Sequence, residues 1–408
     1  MQSIKKLDFG KLESLWAPWA QSPSPQMAAT GAPVAAAVKE NYGWILHPWI
    51  DSIFVCGGLV WIFALLATNL VPGINHLDAK MLYSAFFFVF VVPHGMATIL
   101  RVYDVPTTRK ANGMKVALLA GGCLLLLIIG CLSAFWASMV ARMALCFSFQ
   151  HGLGQAYGIA LIYCYKRKFY LTKWEKRIFS LVIQAGILHG VTTVLAQPHI
   201  RFAKMDLVPL FGFPSWINQI CDITLVSAVL AFFIVLGRKF FVEKRLMPLP
   251  AILTIATGFL IYAILMPFAI TLNAEGVSIP KAAQQAVGWL LVLYYLAHGL
   301  FHTPQYLVVT TAVQLKNRAW PESLPFSKIA SQLFSPRAIK YYLTVYSIAW
   351  LYMCLSVPMG SLFNHIGLNQ HPELWFLVFI SCTNLHHYWT DSIIWRMKDK
   401  ENLRLLIS

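Results

Sequence analysis

The sequence predicts an all-α protein, a polytopic integral membrane bundle of about ten transmembrane helices with both termini cytoplasmic, and three observations carry that prediction. Of 408 residues, 58% are hydrophobic and only 12% are charged, against roughly 25% charged in a soluble globular domain. The mean hydropathy is +0.63. Apolar runs of about 20 residues, the length that spans a hydrocarbon core, recur along the chain with short basic clusters between them.

Taken in order, residues 1–42 read as a mobile or surface-lying cytoplasmic arm. They open with Lys5, Lys6 and Lys11 and continue through a Pro/Ala/Ser-rich run without the continuous apolar core of a signal peptide. Residues 43–400 read as a single transmembrane helical domain and 401–408 as a cytoplasmic tail. The spans fall near 50–71, 81–100, 114–138, 143–165, 177–196, 216–237, 250–272, 284–312, 340–362 and 373–395. Lys and Arg concentrate in every second link: Arg101 to Lys115, Lys166 to Arg177, Arg238 to Arg245, Lys316 to Lys340, and the tail from Arg396. The intervening links, among them Val140 to Arg142, carry few. By the positive-inside rule the basic links face the cytoplasm, which places the chain as a multi-pass protein of a bacterial inner membrane. The net charge of +16 is therefore a topology signal, and no nucleic-acid partner is expected. Eight cysteines lie scattered with no Cys-x-x-Cys pair, so neither a disulfide framework nor a thiolate metal site is expected.

Ionisable groups inside spans are costly and need a partner or a task. The densest group is Asn384-Leu385-His386-His387-Tyr388-Trp389-Thr390-Asp391 in the last span. On a helix His387 and Asp391 share one face, while His386 points about 100° away with Thr390. His298 and His302 stand one turn apart on the eighth span, a spacing that lets two imidazoles grip one ion. His94 lies in the second span, and His47 and Asp51 lie where the first begins. The topology sets these six histidines in the cytoplasmic half of the bundle as candidate metal ligands. Asp51 and Asp391 are the carboxylates expected to take part in catalysis or to orient the imidazoles, with Asn384 and Thr98 as further orienting oxygens. His151 and His189 fall elsewhere along the fourth and fifth spans, as a second, deeper site or as helix-to-helix hydrogen bonds. Gln155 and Tyr157 add polar groups to the fourth span, where small residues allow close approach.

Imidazoles with one or two carboxylates suit Fe, Zn, Cu or Mn far better than Mg or Ca. A histidine pocket open to lipid and to the cytoplasmic boundary suits an oxygenase or related oxidoreductase on a hydrophobic, lipid-like molecule. Membrane lipid would deliver the substrate, and an electron donor would work from the cytoplasm. The His298-x-x-x-His302 and His386-His387 elements resemble part of the pattern of membrane histidine-cluster iron enzymes, the fatty-acyl desaturases and hydroxylases. His47, His94, His298 and His302 are similar in kind to the histidines of bacterial membrane carotene-cleaving dioxygenases. Both resemblances imply one or two iron ions as cofactor. The set His-Pro-Trp-x-Asp, Pro-His-x-x-Ala-Thr-x-x-Arg-Val-Tyr, Gln-x-Tyr-Gly and His-His-Tyr-x-x-Asp-x-x-x-Trp-Arg resembles a family of histidine-rich bacterial polytopic membrane proteins of unassigned chemistry. Two other readings stay open: a b-type haem protein with His151 and His189 as axial ligands, and a proton- or metal-coupled transporter.

Overall fold

The computed structural model describes residues 43–65, 87–202, 205–209, 212–272, 298–319, 332–396 and 405–407. The arm expected over 1–42, most of the tail and parts of the spans expected at 50–71, 81–100 and 284–312 lie outside them. The main helices are α1 (Gly58–Leu65), α2 (Val92–Asp104), α3 (Pro106–Leu132), α4 (Ala134–Lys166), α5 (Lys173–Ala196), α6 (Ser215–Phe241), α7 (Leu249–Phe259), α8 (Met266–Leu272), α9 (Thr303–Ala319), α10 (Pro336–His365) and α11 (Trp375–Ile394). In the α5–α6 link, Arg201–Phe202 pairs antiparallel with Met205–Asp206.

Local chemistry places the breaks. Val105 is extended and Pro106 opens α3, because proline disfavours helical backbone before it and suits the first helical position. Ser133 is extended and its hydroxyl accepts from the Trp136 amide, which starts α4. Thr172 and Glu175 form a reciprocal capping box on α5. Gly367, at φ +74°, ends α10 with bonds from Gly367 N–H to the Asn364 carbonyl and from Leu368 N–H to the Phe363 carbonyl.

The Ser133 cap corrects one expected boundary. The link expected at Val140 to Arg142 lies inside α4, and the chain turns earlier, at Ser133. Arg142 tolerates burial because its guanidinium donates to the carbonyls of Val194, Gln197, Pro198 and Val208, tying α4 to the end of α5. His151 consequently sits near the middle of α4.

Five helical stretches among the described residues are long and apolar enough to cross a membrane: α3, α5, α6, Leu249–Thr271 and α10. The chain is therefore a membrane protein. Apolar character and burial run in opposite directions between two of these helices: α6, among the most apolar, is largely unburied, whereas α4 carries Arg142, His151 and Gln155 and is buried over most of its length. Helix α4 is the hub, packed by α3, α5, α7 and α11, while α2 touches α9, α10 and α11. Lipid rewards apolar surface outside, so the ionisable groups collect on the helices that are shielded from it.

Among the described residues, four π-helical segments, Asp51–Val55, Phe87–Val91, Leu260–Leu265 and His298–His302, interrupt the regular helices. Such widened turns are rare and concentrate at functional sites. Phe87–Val91 leads into His94 and His298–His302 ends on His302.

Candidate metal centre

Four helices bring one histidine each to a common point. His94 comes from the first turn of α2, His151 from the middle of α4, His302 from the turn before α9, and His387 from α11, with Asp391 one turn further on. All five side chains are buried, His302 completely. Ring centroids lie 4.4 Å apart for His94 and His387, 4.6 Å for His387 and His151, 4.6 Å for His151 and His302, and 5.3 Å for His302 and His94. His302 and His387 face each other across this ring at 6.2 Å. A ring whose nitrogen sits about 2.1 Å from an ion has its centroid about 3.2 Å away, so four rings around one ion have neighbouring centroids about 4.5 to 5.3 Å apart. The observed centroid spacings are close to that range, while the donor atoms fall into two groups that share one histidine. Donor atoms of His94, His302 and His387 lie within 4.8 Å of one another, and those of His151, His387 and Asp391 form a second such group that shares His387.

Surrounding groups set two of the rings. Nδ1 of His94 meets the carbonyl of Val91. A carbonyl only accepts, so Nδ1 carries the hydrogen and Nε2 carries the lone pair. Nδ1 of His387 lies 2.8 Å from Oγ1 of Thr98, and the Thr98 hydroxyl donates to Oδ1 of Asp391 at 3.1 Å. With its hydrogen committed to the carboxylate, Thr98 accepts from Nδ1–H of His387, and Nε2 again holds the lone pair. The Tyr306 hydroxyl donates to the same Oδ1 at 2.8 Å, lies 2.6 Å from Oγ1 of Thr98, and accepts from Nε1–H of Trp395 at 3.0 Å. The Arg101 guanidinium stands over the Trp395 ring. Oδ2 of Asp391 lies 3.7 Å from Nε2 of both His151 and His387.

The remaining walls hold backbone and rings in place. Gln155 donates to the carbonyl of His302 and to Gln305, whose own amide donates to the carbonyl of Val55, so α4, the His302 turn and the Asp51–Val55 turn are joined. Tyr388 stacks on His151 with centroids 4.4 Å apart. Next to His151, Gly152 lets the Tyr262 ring lie against the α4 backbone; a Cβ there would come within 2.1 Å of that ring.

The expected residues divide. His94, His302, His387 and Asp391 come together as ligand candidates. His151 joins them instead of forming a second, deeper site with His189, while His189 makes the helix-to-helix contact that was the other expectation. His189 instead pairs with Asp222 on α6 at 2.7 Å, so the two expected axial ligands of a haem turn to different partners. His386 points off the cluster to the carbonyl of Val116 on α3, because one residue along a helix turns the side chain about 100°. His47 caps the short Pro48–Ile50 turn through the Trp49 amide. Asp51 is a structural acceptor for the amides of Ile45, Leu46 and His47 and the hydroxyl of Tyr163. The side chain of His298 lies outside the described residues. Sequence reasoning missed Tyr306, Trp395 and Tyr388. Spacing was the signal for two of them, since Tyr306 follows His302, and Trp395 follows Asp391, by one helical turn, and Tyr388 adjoins His387.

No protein-family model, no curated protein and no solved structure matches the chain.

Proposed function

We propose that this membrane protein holds a single non-haem transition-metal ion, iron first, among His94, His151, His302, His387 and Asp391, and acts as an oxygenase or related oxidoreductase on a hydrophobic, lipid-like molecule. The observation that carries the reading is the convergence of four buried imidazoles from four helices, two of them held by Val91 and Thr98 in the tautomer a metal requires. Nitrogen donors with one carboxylate favour Fe, Mn, Cu or Zn over Mg or Ca. His387 supports a single ion over two: it belongs to both donor groups, Thr98 occupies its Nδ1, and one nitrogen remains to bind an ion.

A redox-active ion, when bound, would supply electron-transfer and oxygen chemistry that side chains lack. The chain's own part is to hold the donors rigid through the Gln155–Gln305 bond and the bonds from Thr98 and Tyr306 to Asp391, and to keep water out by burial. Lipid around the apolar outer helices would supply the substrate. The reading includes about ten spans, a bacterial inner membrane, cytoplasmic termini and an electron donor acting from the cytoplasm, supported by the alternation of basic links.

Elemental analysis of detergent-purified protein, with its visible spectrum, tests the reading. About one iron, or one competing Mn, Cu or Zn, per chain supports it. A Soret band would replace it with a haem, and protein that takes up no transition metal would remove it.

A further inference from the structure

We propose that Thr98 and Tyr306 are positioning residues that couple the donor strength of His387 to the charge of Asp391. The proposal rests on the metal-centre reading and concerns two residues that supply no donor atom themselves. A single oxygen, Oγ1 of Thr98, is within bonding distance of Nδ1 of His387 at 2.8 Å, of Oδ1 of Asp391 at 3.1 Å and of the Tyr306 hydroxyl at 2.6 Å. The carboxylate draws the Thr98 hydrogen toward itself, which makes Thr98 a better acceptor for Nδ1–H of His387 and raises electron density at Nε2. Both hydroxyl donors meet Oδ1, so Oδ2 is turned toward Nε2 of His151 and His387, at 3.7 Å from each.

Tyr306 completes the device. Its hydroxyl is fixed from behind by Nε1–H of Trp395 at 3.0 Å, and its ring lies edge to face against both His94 and His387. Loss of that hydroxyl removes one of the two donors on Oδ1 and the Trp395 acceptor, and frees Asp391 to rotate. The device joins three helices, α2 through Thr98, α9 through Tyr306 and α11 through His387 and Asp391, so it also fixes where those helices meet.

The test is a titration of the full-length, detergent-purified, metal-depleted protein with Co(II), read by visible absorption. Wild type should bind about one ion per chain; Tyr306→Phe and Thr98→Val should bind about tenfold to a hundredfold more weakly, with shifted Co(II) bands. Thr98→Ser, which keeps the hydroxyl, should restore affinity and spectrum. Tyr163→Phe is the control, because Tyr163 is an equally buried phenol on a different carboxylate, Asp51; its Co(II) spectrum should be unchanged. Should Thr98→Val fail to fold, Trp395→Phe, which removes the support behind Tyr306, reads the same coupling and should shift the bands in the same direction. Wild-type protein that binds no Co(II) would overturn the metal reading together with this one. Wild-type binding with Tyr306→Phe, Thr98→Val and Trp395→Phe unchanged in affinity and spectrum, whatever their thermal stability, would overturn the coupling alone.

Discussion

The rings of His94 and His387, on helices at opposite ends of the sequence, meet edge to face with centroids 4.4 Å apart. Neighbouring imidazoles at that distance in an apolar bundle need a shared ligand or a hydrogen-bond network to justify their desolvation. Here each ring directs its Nδ1 outward to a protein oxygen, Val91 for one and Thr98 for the other, and the opposite edge inward.

Gly152 should be the least substitutable glycine near the centre. Adding one methyl group in Gly152→Ala drives into the Tyr262 ring, which is fully buried. A loss of about 1–3 kcal/mol is expected from overpacking of this kind, seen as a lower unfolding temperature in detergent. The double variant with Tyr262→Leu should recover part of it.

Asp51 should matter for stability and not for metal. In Asp51→Asn one carboxylate oxygen becomes an amide donor facing either the Ile45 amide and Tyr163 hydroxyl or the Leu46 and His47 amides, all of which are themselves donors. The expected cost is about 1–3 kcal/mol, with metal content equal to wild type when both are measured on the same preparation.

His386 and His151 show how far the sequence could be read. Helical periodicity alone set His387 with Asp391 on one face and His386 on another, and that separation holds: His387 enters the cluster and His386 bonds to Val116. Depth was harder. The apolar runs at 114–138 and 143–165 place a link at Val140 to Arg142, yet Arg142 is buried by the carbonyls it serves, and Ser133 starts the helix earlier. That shift moved His151 into the middle of α4, level with His302 and His387. The π-helical turns at Phe87–Val91 and His298–His302 were illegible, because their extra residue arises from tertiary packing and leaves no periodic trace.

Arg142→Met should destabilise the α4–α5 junction. The change keeps an unbranched apolar stem but shortens the side chain and leaves the carbonyls of Gln197 and Pro198 without their guanidinium donor in a partly buried setting. About 1–3 kcal/mol is expected, measurable as a lower unfolding temperature, while His189→Ala, at the half-exposed pair with Asp222, should leave metal content unchanged.

The most direct measurement compares the metal content of His387→Ala with that of His386→Ala, adjacent residues of equal chemistry and different direction. The account predicts that His387→Ala loses the ion, while His386→Ala retains about one per chain. Equal metal content in the two purified, folded variants would contradict it.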